Sequence, residues 1–522
     1  MQPSRALVCQ GKGSTFQEHF RKIGVRVHSR ALGAGVAIAV AVVSAAVAVP
    51  AAQAAPSSSI ASAQSAPAAG TAKKADFNGD GYADTAFTAP SATVGGKKGA
   101  GYVGVTYGSK SGVNTASKQV ISQNSAGIPD SAESGDAFGS AIASADLDGD
   151  GYTDLIVGAA NEDAGLGKLG TLTVVWGSAT GLTGGAVLAD GDTDSGAIGG
   201  KLAVGDFNGD GGQDVVTVAG NQHLRVFSGP FERDGSAKST SIVRDTEDTR
   251  YLDIAAGDVT GDGITDLVGT VNDGDEYDAR RVRFLPGTAD GFGAPKIVED
   301  AKGNRVQGGE HVTTGDVNHD GYADIVVGRP VEGYDSDVDL PLAKGGMIMY
   351  IPGGASGPQG TKAKAFSQDS AGVPGASEVG DKFGTAVSVG DTDGDGYGDI
   401  AVGVPGEALG TKAKAGQVIV LRGSASGPTG TGSKGFTQDT AGIGGAAEPN
   451  DAFGGATSLV DANADGRAEL AIGSPGENDN AGSIWVLPGS TGGTTATGSM
   501  TFGAGTLGTD PANATLGSSF NH

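Results

Sequence analysis

Seven stretches of nine residues place oxygen-bearing side chains at alternate positions around an Asp-Gly turn. They read DFNGDGYAD from Asp76, DLDGDGYTD from Asp146, DFNGDGGQD from Asp206, DVTGDGITD from Asp258, DVNHDGYAD from Asp316, DTDGDGYGD from Asp391 and DANADGRAE from Asp461. Position 3 is Asn78, Asp148, Asn208, Thr260, Asn318, Asp393 or Asn463, and position 5 is Asp80, Asp150, Asp210, Asp262, Asp320, Asp395 or Asp465. Position 7, where a backbone carbonyl is expected to contribute, is Tyr82, Tyr152, Gly212, Ile264, Tyr322, Tyr397 or Arg467. Position 9 closes each set with Asp84, Asp154, Asp214, Asp266, Asp324, Asp399 or Glu469. Oxygens at positions 1, 3 and 5 converge when the chain turns sharply, and a hard cation such as Ca²⁺ takes six to eight of them. The turn is supplied at position 6, which is Gly81, Gly151, Gly211, Gly263, Gly321, Gly396 and Gly466, a residue suited to positive φ.

Three or four carboxylates within nine residues repel one another unless a cation lies among them. Asp, Asn and Gly are also ordinary turn formers, but a bare turn has no use for acids at positions 1, 5 and 9 in every copy. Up to seven bound Ca²⁺ ions are therefore expected. Thr260 at position 3 and Glu469 at position 9 mark the fourth and seventh copies as the weaker binders.

The flanks of the loops are strands. Before them stand SAIASAD, GKLAVGD, LDIAAGD and TAVSVGD, and after them LIVGAA, VVTVAG, IVVGRP, IAVGVP and LAIGSP. These runs are short, β-branched and ended by glycine, which excludes the helix-flanked loop of an EF-hand and the similar loops of a dockerin. A second strand-and-turn marker follows each loop: VTYGSKSG, VVWGSATG, RVFSGP, RFLPGTADG, MYIPGGASG, VLRGSASG and WVLPGS. With a variable segment around Ile121, Phe366 or Phe436, each repeat holds about four strands. The repeats succeed one another every 52 to 75 residues, the period of a propeller blade. The expected fold is an all-β, seven-bladed β-propeller of four-stranded blades. Trp176 and Trp485 are expected at strand ends, packed into the core or rim.

The chain begins with six Lys or Arg in its first thirty residues, continues with an uncharged apolar run over 31–49, and then offers Ala52-Gln53-Ala54. That is the layout of a signal peptide, so residues 1–54 are expected to be a cleaved leader and 55–74 an Ala/Ser/Pro-rich linker before a propeller over 75–522. The competing reading of the apolar run is a membrane anchor, but it is dominated by Ala, Gly and Val. The single cysteine, Cys9, lies in the leader, leaving the mature chain without disulfides. Loss of the leader leaves 29 basic and 59 acidic residues, a net charge of −30. Nucleic acid is thereby a poor partner, and no membrane span is expected after cleavage.

Three repeats carry Phe-Gly before the loop and a Gly-x-Pro-like turn after it: Phe138-Gly139 with Gly158 to Ala160, Phe383-Gly384 with Gly403 to Pro405, and Phe453-Gly454 with Gly473 to Pro475. This pattern resembles the FG-GAP repeat of the integrin α-subunit propeller. The third repeat has Ile198-Gly199 instead, and the fourth and fifth lack the pair. The first repeat begins at Ala75, directly before its loop, and so lacks a leading strand. Phe366 and Phe436 precede Phe383 and Phe453 by 17 residues, and Phe502 precedes Leu516-Gly517 by 14. Leu516 to Phe520 is therefore expected to complete blade one and close the ring.

The resemblance implies a secreted, calcium-braced binding or cell-adhesion module for an extracellular protein or carbohydrate ligand, expected to be monomeric and without catalytic residues. The alternative is an extracellular polysaccharide lyase or hydrolase on a calcium-braced propeller. Beyond the leader the histidines are His223, His311, His319 and His522, and no GxSxG or HExxH motif gives one of them a catalytic role.

Overall fold

The Val, Ile and Leu runs after the nonapeptides form strands buried along almost their whole length: Thr85–Ala89, Asp154–Ala159, Asp214–Ala219, Asp266–Asn272, Asp324–Arg329, Asp399–Val404 and Glu469–Ser474. This computed structural model describes residues 75–521 apart from 164, 166, 194–195, 245–248, 273, 275–279 and 333–342. The expected leader 1–54, the linker 55–74 and His522 lie outside the described residues.

Each buried run is the second strand of an antiparallel meander. Blade two runs Phe138–Ala145, Asp154–Ala159, Thr171–Trp176 and Thr183–Asp190, paired in that order. Blades three to seven repeat the scheme, with first strands at Leu202–Gly205, Arg250–Gly257, His311–Gly315, Val387–Gly390 and Ala456–Val460. The first strands of successive blades adjoin one another, so they form the inside of the ring. Ile121, Phe366 and Phe436 lie in fourth strands, as expected. Trp485 departs from expectation. It sits mid-strand in Ser483–Leu487, 1% exposed, where it donates to Gly444 O at 2.8 Å and meets Phe453 edge-on.

No single core fills the ring. Seven apolar clusters lie between neighbouring blades, because a strand turns alternate side chains to opposite faces. Ile400, Val402 and Val404 pack toward blade five, while Ala401 packs toward blade seven. The blades also approach through glycine. A Cβ at Gly473 would lie 1.9 Å from Gly517 O, so any side chain there would force the blades apart. At three seams a buried glutamine reaches from one blade to a glutamate 39 residues on in the next: Gln123 to Glu162 at 2.5 Å, Gln368 to Glu407 at 2.7 Å and Gln438 to Glu477 at 2.6 Å.

Blade one has three strands of its own, Thr85–Ala89, Tyr102–Tyr107 and Asn114–Ile121. Its innermost place is taken by the far end of the chain. Phe520 bridges Phe87, Thr88 N–H donates to Ser519 O at 3.0 Å, and Asn521 N–H donates to Ala86 O at 3.1 Å. Leu516 bridges Gly482 in the way Phe453 bridges Gly416, so the Leu-Gly pair takes the place of Phe-Gly. The seam core includes Phe87, Phe502, Leu516 and Phe520.

Phe520 is 1% exposed, and truncating a buried phenylalanine costs about 3–5 kcal/mol. Phe520→Ala is expected to lower the unfolding free energy by that order in urea titration, and removal of residues 516–522 to abolish soluble expression. A truncated chain as stable as the full one would show that the seam does not close the ring.

Candidate metal centres

In blades two to seven the nonapeptide is the hairpin between the first and second strands; in blade one it leads into Thr85–Ala89 without a strand before it. The residue before position 1 pairs with position 9: Ala145 with Asp154, Gly205 with Asp214, Gly257 with Asp266, Gly315 with Asp324, Gly390 with Asp399 and Val460 with Glu469. Inside the hairpin the seven loops share one conformation. The position-1 Oδ2 accepts the position-6 N–H at 2.8–3.0 Å in every copy. The position-5 Oδ1 accepts the position-7 N–H at 3.0–3.1 Å. The position-6 glycines hold φ between +85° and +91°.

Position 9 is the buried anchor. Asp84, Asp154, Asp266, Asp324 and Asp399 are fully buried, and Asp214 and Glu469 nearly so. One oxygen accepts the position-2 N–H, from Phe77, Leu147, Phe207, Val259, Val317, Thr392 or Ala462, at 2.8–3.2 Å. In the six aspartates the other oxygen accepts the glycine N–H of the second sequence marker: Gly108, Gly177, Gly229, Gly287, Gly353 and Gly423, at 2.8–3.0 Å. The longer Glu469 instead takes Asn463 Nδ2 at 2.8 Å. In the six aspartate copies the carboxylate therefore ties the loop to the end of the third strand.

Burial, followed by repulsion from acids of the same loop, pushes these carboxyls up to about 7 in Asp84, Asp154 and Glu469, and to about 6 in Asp214, Asp266, Asp324 and Asp399. A cation among the oxygens would reverse that push. The donors fit one: they are all oxygens, and in loops two and six the carboxylates of positions 1, 3 and 5 lie within 4.8 Å of one another. Hard divalent cations select such sets. In the other five loops position 3 is an amide or, at Thr260, a hydroxyl.

The loops also touch each other. In blades two, four, five, six and seven the position-8 N–H donates to the position-1 carbonyl of the blade before it, as in Thr153 to Asp76 at 3.0 Å and Ala468 to Asp391 at 2.7 Å. Ser109 of blade one reaches Ala462 O of blade seven at 3.2 Å. Position 7 has a side-chain role that spacing alone did not reveal: the rings of Tyr152 and Tyr322 lie so close over Gly79 and Gly261 that a Cβ at either would sit 2.6 Å away. Position 4 is left-handed throughout, including His319 and Ala464 at φ 58° and 57°.

The histidines form no comparable set. His311 Nδ1 lies 3.8 Å from Asp253, which also pairs with Lys201 at 3.3 Å, and His319 meets the ring of Tyr397 at 5.9 Å. Among the described residues no hydroxyl hydrogen-bonds to His311.

The repeat carries a family signature. The FG-GAP repeat model matches residues 138–175, 308–340, 383–421 and 453–487, and an FG-GAP-like repeat model matches 206–269. The chain is an FG-GAP repeat protein that resembles the integrin α propeller. Integrin alpha-8 of Gallus gallus is 28% identical over 203 residues, 36% of this chain and 17% of its own. Integrin alpha-V of Gallus gallus is 28% identical over 219 residues, 41% and 19%, and integrin alpha-PS2 of Drosophila melanogaster 30% over 226 residues, 40% and 15%. The chain thus spans less than a fifth of these relatives' length. A neuraminidase-like protein of A/flat-faced bat/Peru overlaps 67% of this chain and 83% of its own at 10% identity, with a TM-score of 0.32. The FG-GAP match over 308–340 takes in blade five, which lacks Phe-Gly.

Two outcomes follow from position 9. Asp154→Ala orphans two buried backbone donors, and each costs about 1–3 kcal/mol. It is expected to destabilise the FG-GAP propeller even in chelator, whereas Asp150→Asn should alter mainly the response to calcium; equal effects of the two in chelator would contradict the anchoring role. The second outcome concerns pH. Folded-state values raised above the unfolded carboxyl mean that the metal-free fold binds extra protons between about pH 4 and 7, so its stability rises as pH falls from 8 toward 5. Melting curves in chelator should show that rise, and saturating calcium should remove it.

Proposed function

We propose that this FG-GAP protein is a secreted propeller loaded with up to seven Ca²⁺ ions that binds an extracellular protein or carbohydrate and catalyses nothing. The observation that carries the reading is the repetition of one oxygen-lined loop conformation in seven blades, with hydrogen bonds from loop to neighbouring loop. Asp, Asn, Thr and, at Glu469, Glu side chains at positions 1, 3, 5 and 9, with the position-7 carbonyls, would hold the ions. The metal would neutralise the crowded carboxylates and stiffen the rim. Secretion is supported by the basic and then apolar layout of residues 1–54. No helix among the described residues is long and apolar enough to cross a membrane.

The size of the calcium contribution follows from mass action. Extracellular modules bind in the range of ~10⁻⁴ to 10⁻³ M, so millimolar calcium stabilises by roughly 0.4–1.4 kcal/mol per site. Seven sites would add several kcal/mol to a fold without disulfides. A rigid rim suits recognition, because loops held in one conformation lose little entropy on binding. The likeness to integrin α chains supports placing that recognition outside the cell.

Melting the purified mature protein in calcium and in chelator, with bound metal counted by mass spectrometry, tests the reading. Close to seven Ca²⁺ per chain and a large fall in Tm on chelation are expected. Calcium-loaded protein is then expected to retain a subset of immobilised glycans or matrix proteins, and to leave acidic polysaccharides undegraded over hours. Absence of bound metal with an unchanged melt would overturn the calcium assignment, and depolymerisation would overturn the non-catalytic one.

A further inference from the structure

Position 3 is an aspartate in only two loops, Asp148 in loop two and Asp393 in loop six. In both, an arginine lies on that extra carboxylate, and the two arginines come from different places in the fold. Arg422 ends the strand Gln417–Arg422, immediately before the glycine whose N–H holds Asp399. Its guanidinium pairs with Asp393, lies 2.9 Å from Asp399 Oδ2 and reaches Asp395 at 3.5 Å. Arg233 belongs to blade three and reaches back across the seam to pair with Asp148 and Asp150. It is backed by the ring of Trp176, 5.0 Å away, the residue of blade two that stands where Arg422 stands in blade six.

Charge explains the coincidence. Loops two and six each hold four carboxylates and the other five hold three. One guanidinium brings the two exceptions to a net −3, the charge of loops one, four and five. Lys238 and Arg467 also reach loops three and seven, on the position-5 carboxylates Asp210 and Asp465 at 2.7 and 3.0 Å. Lys238 is 58% exposed, in the range where such pairs are weak; Arg233 is 49% exposed, but its partner Asp148 is 9% exposed and Trp176 backs the guanidinium. The Arg422–Asp393 pair is 17% and 10% exposed and is screened far less.

We propose that Arg422 and Arg233 are affinity-setting residues for the cation in loops six and two. Each cancels the additional position-3 carboxylate and competes with the ion for the same oxygens, so a loop with four acids binds no more tightly than a loop with three. The inference rests on the calcium reading of the loops. It assigns the arginines a role that the nonapeptide pattern does not contain, since ligand charge count is what tunes such sites.

Hydrogen exchange measured peptide by peptide across a calcium titration separates the loops. In the full mature chain, protection of residues 391–399 is expected at a calcium midpoint close to that of residues 76–84. Arg422→Gln should shift the 391–399 midpoint to lower calcium by about tenfold and leave 76–84 unmoved. Adding Asp393→Asn to Arg422→Gln should bring it back. Asp393→Asn alone, which keeps the arginine and removes its partner, should shift the midpoint to higher calcium, and it carries the test if Arg422→Gln does not fold. An unchanged or higher midpoint in Arg422→Gln, or a lower one in Asp393→Asn, overturns the proposal. A 76–84 segment indifferent to calcium overturns the calcium reading itself, which is a separate failure.

Discussion

A buried carboxylate at the ninth position of each loop is the constraint on which the blades depend. In the six aspartate copies it joins the start of the second strand, the loop before it and the end of the third strand through backbone hydrogen bonds, as when Asp154 takes the N–H groups of Leu147 and Gly177. An amide offers a single acceptor oxygen and would leave one of these donors unpaired. Burying charge is costly unless something of opposite sign is near. The same residue that builds the blade thus supplies the buried charge that the proposed cation would offset, seven times over.

The loops then set the spacing of the blades. In most blades the position-8 N–H or the N–H just after the marker glycine donates to the loop of the preceding blade, as Thr153 does to Asp76 and Ser178 to Phe77; in blade three, where Pro230 follows the glycine, Phe231 donates to Leu147. Such contacts run along one rim, while the interblade apolar clusters fill the space beneath. A cation bound in one loop, as proposed, would therefore also hold part of its neighbour's hydrogen bonding. Blade four ends in a strand of only two residues, Lys296–Ile297.

Much of this was legible in the sequence because it is periodic. The nonapeptides located the hairpins, the apolar runs located the buried strands, and the offset from Phe502 to Leu516-Gly517 located the closing strand. What escaped was contact between segments that no period links. Nothing in the spacing shows that Gly108 donates to Asp84, that Tyr152 covers Gly79, or that Arg233 crosses a seam to Asp148. Trp485 stands two residues before the end of its strand, whose last residue, Leu487, precedes the Pro-Gly turn. The Gln–Glu stitches were equally hidden: each member is an ordinary polar residue until the fold buries it beside its partner 39 positions away.

The seam at blade one has a bearing on how the ring is made. Blades two to seven assemble from hairpins, contacts that form early and locally. Blade one needs residues 435 positions apart, as between Ala86 and Asn521, and contacts of such separation form late in folding. Stacking of the other blades brings the two segments together beforehand, so most of the loop-closure entropy has already been spent when they meet. Until then the strand Thr85–Ala89 presents an open edge able to pair with another chain. The first blade begun is the last one finished, and the period in between is when this protein is most exposed to joining a copy of itself instead of its own end.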